Sequence, residues 1–323
     1  MKHADWNVKD WMDLMHIALK KEGKKPLRDM RKLVWDNTLK ILSKGQYQTP
    51  DKEVTLDLSP NIAEQTIYYD HEVKIPADAP RTGRTLIKVE QEDTLNATRK
   101  MIDNGQNPCL LNMGNRHIPG GDIFDGWGAQ EENLIRRSDY FRSIFTLLDD
   151  PIENLNALCE KLGITPFDLK RDPEHSYPMD VDFGGVYTPG VTVFRGDEAN
   201  GYVLLDKPYK VDIVAVASLN KPSLILDQLD PDLIDTAKNK IRTIFRIAYL
   251  NGHRNMVLSA FGCGSFQNPP TQTALLFKNV LEEEEFHNRF EEIVFAILER
   301  YDLDFGKGNY SIFHNILDNN ATE

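Results

Sequence analysis

Cys109-Leu110-Leu111-Asn112, then Met113-Gly114-Asn115-Arg116-His117-Ile118-Pro119-Gly120-Gly121-Asp122-Ile123-Phe124-Asp125-Gly126-Trp127-Gly128-Ala129, then Gln130-Glu131-Glu132, is the stretch on which the reading of the fold turns. Residues 108–112 form a short apolar run that ends in a glycine-rich segment, which reads as a buried strand. From Gln130 onward Leu134, Phe141, Phe145 and Leu148 share one face at helical spacing, which predicts a helix over 130–148. Strand, glycine loop and helix in that order make the repeating element of an α/β fold. In open α/β sheets ligands collect at the carboxyl ends of strands, so this loop is the first place to look for chemistry.

The alternation continues on both sides. Upstream, 85–89 reads as a strand and 93–103 as a helix. Downstream come a proline- and acid-rich insertion over 152–178, strands at 191–195 and 211–217, and a long helix over 231–250. A strand at 256–260, a helix over 271–281 and a strand at 293–298 follow. The pattern predicts a mixed central sheet with helices on both faces. Glu282 to Glu285 reads as a solvated helix end. The first quarter has another texture: a basic cluster from Lys20 to Lys25, a helical pattern from Pro26 to Lys44, then a polar stretch with strand-like runs at 54–58 and 66–69. The expected division is an accessory helical and irregular region over 1–84, packed on a catalytic domain over 85–323.

Composition bounds the function. At 323 residues and 41% hydrophobic content the chain can bury a large core. No stretch approaches the roughly 18 apolar residues that span a bilayer, and the N-terminus lacks the apolar centre of a signal peptide. A cytoplasmic monomer without a membrane partner is expected. Three cysteines without CxxC spacing argue against both a disulfide framework and a thiolate metal site. A net charge of −12 repels polyanions, so tracking along DNA or RNA is disfavoured. A phosphate ligand would have to be held locally, by backbone amides, helix N-termini or a few placed side chains.

A second glycine loop, Phe261-Gly262-Cys263-Gly264-Ser265-Phe266-Gln267-Asn268, follows the strand ending at Ala260. Missing side chains in such loops let backbone approach a diphosphate, but an ordinary strand-to-helix turn reads equally well. Gln267 stands where a dinucleotide fingerprint needs its third glycine. Glu131 and Glu132 also have two readings, complements to a helix dipole or acid/base groups at a loop that follows a buried strand. Adjacent helical residues diverge by about 100°, so at most one of the two should face a reacting centre. No histidine or cysteine spacing suggests a metal, no GxSxG elbow is present, and Cys263 reads as a small buried hydrophobe. Trp127 either packs inward, the commoner outcome for an aromatic and the one expected here, or covers a ligand.

Taken together, these residues resemble the microbial-type poly(ADP-ribose) glycohydrolases, a divergent branch of the macrodomain superfamily. The signature is a glycine triplet followed by Gln-Glu-Glu. Further resemblance lies in Asp93-Thr-Leu-Asn-Ala-Thr, Val191-Thr-Val-Phe-Arg195, Lys207-Pro-Tyr-Lys-Val211, Asn251-Gly-His-Arg254 and Ser259 to Asn268, and it covers about Thr85 to Leu317. It implies a macrodomain-like three-layer α/β/α fold with a mixed central sheet and an N-terminal helical extension, and an ADP-ribose unit between the two glycine loops. By position, Glu132 resembles the catalytic acid/base and Glu131 the ligand of sugar hydroxyls. Substrate contacts are expected at Asn112, Asn115, Gly120, Gly121, Asp122 and Gln130, and at Gly262, Cys263, Gly264, Ser265, Phe266 and Asn268. No cofactor and no metal are implied. Asp122 departs from the family, since a charged side chain replaces the third glycine.

The activity implied is release of ADP-ribose from poly(ADP-ribose), from chain ends because the acidic surface attracts polymer poorly. Hydrolysis of a mono-ADP-ribosylated side chain such as ADP-ribosyl-arginine is the alternative, motivated by Asp122 and Asp125. Binding of ADP-ribose without cleavage is the second. The dipole of its own helix lowers the pKa of Glu132, whereas Glu131 and a bound diphosphate raise it, so the acid form is expected mainly with ligand bound.

Overall fold

The computed structural model describes residues 4–21, 23–299 and 308–318. Residue 22 of the basic cluster and the chain ends assigned to the two expected domains lie outside the described residues. The chain opens with α1 (Val8–Leu19) and α2 (Lys25–Lys44), then a hairpin of β1 (Gln46–Gln48) and β2 (Glu53–Thr55). Asn7 caps α1 by accepting the Asp10 N–H, and Pro26 occupies the first turn of α2, where no intrahelical donor is needed. Next come β3 (Ile67–Tyr69), β4 (Leu86–Glu90), α3 (Thr94–Asp103), β5 (Pro108–Met113), α4 (Gln130–Arg137), α5 (Phe141–Ile144) and α6 (Asp149–Leu162). Then follow β6 (Gly185–Arg195), β7 (Leu204–Val216), a hairpin of β8 (Leu224–Ile225) and β9 (Gln228–Leu229), and α7 (Ile234–Leu250). The described elements end with β10 (Asn255–Leu258), α8 (Pro270–Glu282), β11 (Glu292–Ala296) and α9 (Asn309–Leu317).

Seven strands form the main sheet in the order β3-β6-β7-β5-β10-β11-β4. The run from β7 to β4 is parallel and β3 pairs antiparallel with β6, so the sheet is mixed, as expected. Strand side chains alternate between faces. Cys109, Leu111, Met256, Leu258, Ile293 and Phe295 share a core with α7, α8 and α9. Their neighbours Leu110, Val257 and Val294 are just as buried, and α3 packs against β5, β10 and β11. Coverage of both faces is why these strands read as unbroken apolar runs. No described helix is long and apolar enough to cross a membrane.

The chain divides into two compact units. Met1–Thr66, His117–Pro178 and Thr188–Val211 form the first; Ile67–Arg116, Met179–Tyr187 and Asp212–Glu323 form the second. The first 84 residues thus contribute to both. In the first unit α1 and α2 pack through Trp11, Met15, Met30 and Val34, with Tyr202 edge-on to Trp11 at 5.3 Å.

Two local expectations are corrected. The helix predicted over 130–148 breaks after Arg137. Ser138 is extended and bridges Val193, its Oγ donates to the Leu134 carbonyl and accepts the Tyr140 N–H, and Asp139 accepts the Thr192 N–H. Short polar side chains that satisfy backbone groups compete with a helix, a contest that apolar periodicity does not register. Glu282 to Glu285 is more than a solvated end. Arg242 holds Glu283 with two bonds of 2.8 and 2.7 Å, and Arg246 holds Glu285 with two of 2.8 Å. Glu285 also accepts the Ile75 N–H.

Candidate active site

In the first unit α4 presents Glu131 and Glu132 in its opening turn, both buried. The Gly120 N–H donates to Glu131 Oε1 and the Asp122 N–H to Glu132 Oε1, each at 3.1 Å. One loop reaches both carboxylates, because its N–H groups at Gly120 and Asp122 engage neighbouring side chains. Gly121 lies between them with φ +55°, and a Cβ there would sit 2.6 Å from Glu132 Oε1 and 3.5 Å from Glu131 Oε2. Only glycine lets this backbone close over the pair.

Glu132 Oε2 is buried and accepts no hydrogen bond among the described residues. Burial raises the pKa of Glu132. Arg136 and the N–H groups of Glu132 and Asp122 pull the other way, and the charge of Asp122 adds to the rise. One carboxyl oxygen is therefore fixed while the other is available to carry a proton. Desolvation is thus a further cause of the upward shift, beside the neighbouring Glu131 and bound ligand considered from sequence.

Asp122 is exposed and has φ −97°, a conformation open to any residue, so a side chain at the third glycine position is accommodated without backbone strain. Gln130 is half-buried and His117 exposed. Trp127 is not buried as expected; it is 37% exposed, with the Arg28 guanidinium 3.9 Å from its ring centre.

Arg28 belongs to α2, and the support of the loop by α2 is what sequence reasoning missed. Arg31 lies against Gly128 and binds Glu198 with two bonds of 2.9 and 3.0 Å. Glu198 accepts the Tyr202 hydroxyl, which itself accepts from Asn133 and from Arg136. Arg136 donates to the Trp127 carbonyl at 2.7 Å, and Thr38 of α2 donates to the Arg136 carbonyl. These charges are scattered over residues 28–202, and no spacing rule connects them. Replacing Arg31 by Met is expected to destabilise the fold by about 3 kcal/mol, because the largely buried Glu198 loses its two guanidinium bonds and keeps only neutral donors such as the Tyr202 hydroxyl. Urea denaturation measures this, and adding Glu198→Gln should restore part of the loss; equal stability of wild type and Arg31→Met would show that the pair does not brace the loop.

In the second unit the loop after β10 is glycine-dependent at Gly262. That residue has φ +75°, and a Cβ would meet Ser218 Oγ at 2.3 Å and Asn268 Nδ2 at 2.5 Å. Asn268 donates to the Leu219 and Gly262 carbonyls at 2.7 and 3.1 Å, which places its amide in the scaffold of the loop. The Cys263 N–H donates to Ala260, and burial pushes its thiol up to about 12, the behaviour of an inert packing residue. Between these anchors the N–H groups of Gly264, Ser265 and Phe266 donate to no described residue. Consecutive open N–H groups in a loop make an anion-binding concavity. Asn112 is fully buried at the end of β5 and Asn115 half-buried beyond it. His253 is buried between the Asn107 carbonyl, Tyr187 and Asp212, a packing role for the Asn251 to Arg254 segment. Among the described residues no group of three His, Cys, Asp or Glu could hold a metal ion.

A family model described as the catalytic domain of microbial-type PARG matches residues 36–196, the span that carries the last turns of α2, the loop and both carboxylates. That span is a microbial-type poly(ADP-ribose) glycohydrolase catalytic domain. Among solved structures it is similar to the poly(ADP-ribose) glycohydrolase of Thermomonospora curvata bound to the inhibitor ADP-HPD. That match has 27% identity, 88% coverage of this chain, 98% of that one and a TM-score of 0.66. It is also similar to the poly(ADP-ribose) glycohydrolase of Deinococcus radiodurans in complex with ADP-ribose, at 26% identity over 73% of this chain and 85% of that one, with a TM-score of 0.54. Both share the mixed α/β layering described above. No curated protein matches.

Proposed function

We propose that the chain is a poly(ADP-ribose) glycohydrolase with Glu132 as acid and base. The observation that carries this reading is the carboxylate pair held by the Gly120 and Asp122 N–H groups, with Glu132 Oε2 buried, without a hydrogen bond and biased toward the proton-bearing form. Rupture of a glycosidic bond at the anomeric ribose carbon passes through an oxocarbenium-like state. Glu132 gives its proton to the leaving ribose oxygen, water adds to the anomeric carbon, and the proton released by that water returns to Glu132. Glu131 orients the sugar hydroxyls beside the bond. In the second unit the open N–H groups of Gly264, Ser265 and Phe266 take the diphosphate and the half-buried Asn115 contacts ribose, whereas Asn112, expected as a contact, is fully buried beneath the surface. Incubation with poly(ADP-ribose) tests the reading: wild type releases ADP-ribose, and the absence of any release removes the assignment.

The acidic surface points to attack at chain ends. A polyanion gains no counterion-release energy along a surface of net charge −12. Digestion of polymer of defined length is expected to yield ADP-ribose from the start, and abundant long oligomers early in the digest would contradict end attack. One observation favours a second substrate. The Asp122 side chain is exposed while its own N–H is bound to Glu132, which leaves a carboxylate facing outward beside the acid. An ADP-ribosyl-arginine linkage offers a guanidinium to such a group. Asp122→Gly separates the readings, since release from arginine-linked protein should fall while release from polymer holds.

A further inference from the structure

The second unit holds a buried cation that no acid contacts among the described residues. Lys240 of α7 is 4% exposed, yet its ammonium makes no hydrogen bond or ion pair among the described residues. A buried charge without a partner is costly, and most buried lysines are paired or neutral. Lys240 lines a small cavity together with Ser218, Phe261 and Asn268. Those residues bound the loop after β10: Ser218 and Asn268 are the side chains that a Cβ on Gly262 would strike, and Asn268 ties the Gly262 carbonyl. Lys240 and the two ends of the loop that carries the open N–H groups, Phe261 and Asn268, therefore border one cavity, at the carboxyl ends of β7 and β10, where α/β sheets gather ligands.

We infer that Lys240 is the charge partner of an anion held by this loop, and that the anion is a pyrophosphate group such as the one in ADP-ribose. The assignment of ADP-ribose rests on the proposed function, whereas the anion site rests on the loop and Lys240 alone. Backbone N–H groups supply directional donors to the phosphate oxygens, and Lys240 supplies the compensating charge that neutral donors lack. The ligand in turn supplies the counter-charge that the protein omits. The other charged groups that act on it are Arg116, Asp180 and Asp182, and Tyr68 lies in turn near Asp180 and Arg116. Burial, reinforced by the charge of Arg116 and opposed by Asp182 and Asp180, brings the pKa of Lys240 down to about 8. The ammonium therefore begins to discharge just above neutrality, and anion affinity should fall as it does.

Isothermal titration of wild type, Lys240→Met and Lys240→Arg with ADP-ribose and with inorganic pyrophosphate, from pH 6.5 to 9.5, tests this. For wild type the Kd of both probes should weaken above pH 8 by up to about tenfold per pH unit. Lys240→Met should bind both about 10- to 100-fold more weakly at pH 7, with no such limb, because a charge-assisted contact is gone. Lys240→Arg should retain binding at pH 9.5, because a guanidinium keeps its charge. Without ligand, Lys240→Met should melt no lower than wild type, since an unpaired buried charge has been removed. Unchanged affinity in a folded Lys240→Met overturns the inference, and so does a lower melting point together with lost binding, which would mark a structural lysine. Pyrophosphate binding that depends on Lys240 without any ADP-ribose binding would sink the proposed function and keep the anion site; binding of neither probe overturns both.

Discussion

Glu132→Gln should lower kcat on poly(ADP-ribose) by about a thousandfold, the scale of a lost general acid, while ADP-ribose binds within about threefold of wild type. The amide keeps an acceptor for the Asp122 N–H and the volume of the side chain, so the loop stays in place. It removes only the proton that Glu132 Oε2 would carry. Burial raises the pKa of Glu132, against Arg136 and the local N–H groups, and the acid role proposed for Glu132 requires its protonated form. For wild type kcat/KM should therefore fall as pH rises through that raised pKa, and the limb should be missing from the residual activity of the variant. Full activity in Glu132→Gln would take Glu132 out of the mechanism.

The same shift makes a stability statement whose sign differs from that of a paired surface carboxylate. Below the ordinary carboxylate range Glu132 is neutral in both the folded and the unfolded chain, and its folded environment suits it. As pH climbs through the folded pKa, a buried group must ionise and that stability is lost. Thermal melts at pH 4.5 and pH 8 should show Glu132→Gln gaining on wild type as pH rises. A gap that narrows instead would mean that the ionised carboxylate is well solvated.

Gly121→Ala carries the second large effect. A left-handed conformation costs a residue with a Cβ about 1–2 kcal/mol, and here the methyl also enters the space of Glu132 Oε1, 2.6 Å away. The loop must move or Glu132 must leave its hydrogen bond. A displacement of about 1 Å at a reacting group costs about a hundredfold in rate, so kcat should fall by that order while the melting point drops by only a few degrees. An alanine variant with native kcat would show that the loop does not set the position of the acid.

Legibility differed along the chain. Buried parallel strands such as 108–113 and 255–258 stood out because coverage on both faces demands unbroken apolar runs. The long helices α2 and α7 stood out because one face of each carries the apolar residues at helical spacing. The break at Ser138 did not, since it depends on side chains that bind backbone groups of another strand. Nor did the exposure of Trp127, which rests under an arginine 99 residues earlier in the chain.

For the candidate site, the sequence by itself determined the chemistry available: two adjacent carboxylates opening a helix, preceded by glycines, and a second glycine loop after another strand. Residue type and order carry that much because glycine is needed wherever backbone must approach another group. Tertiary structure alone decided what those groups are able to do. Burial of Glu132, the sharing of one loop by both carboxylates, the arginines of α2 behind that loop and the unpartnered Lys240 all depend on which distant segments exclude water from a side chain. Desolvation and contact are properties of the packed chain, and local spacing does not encode them.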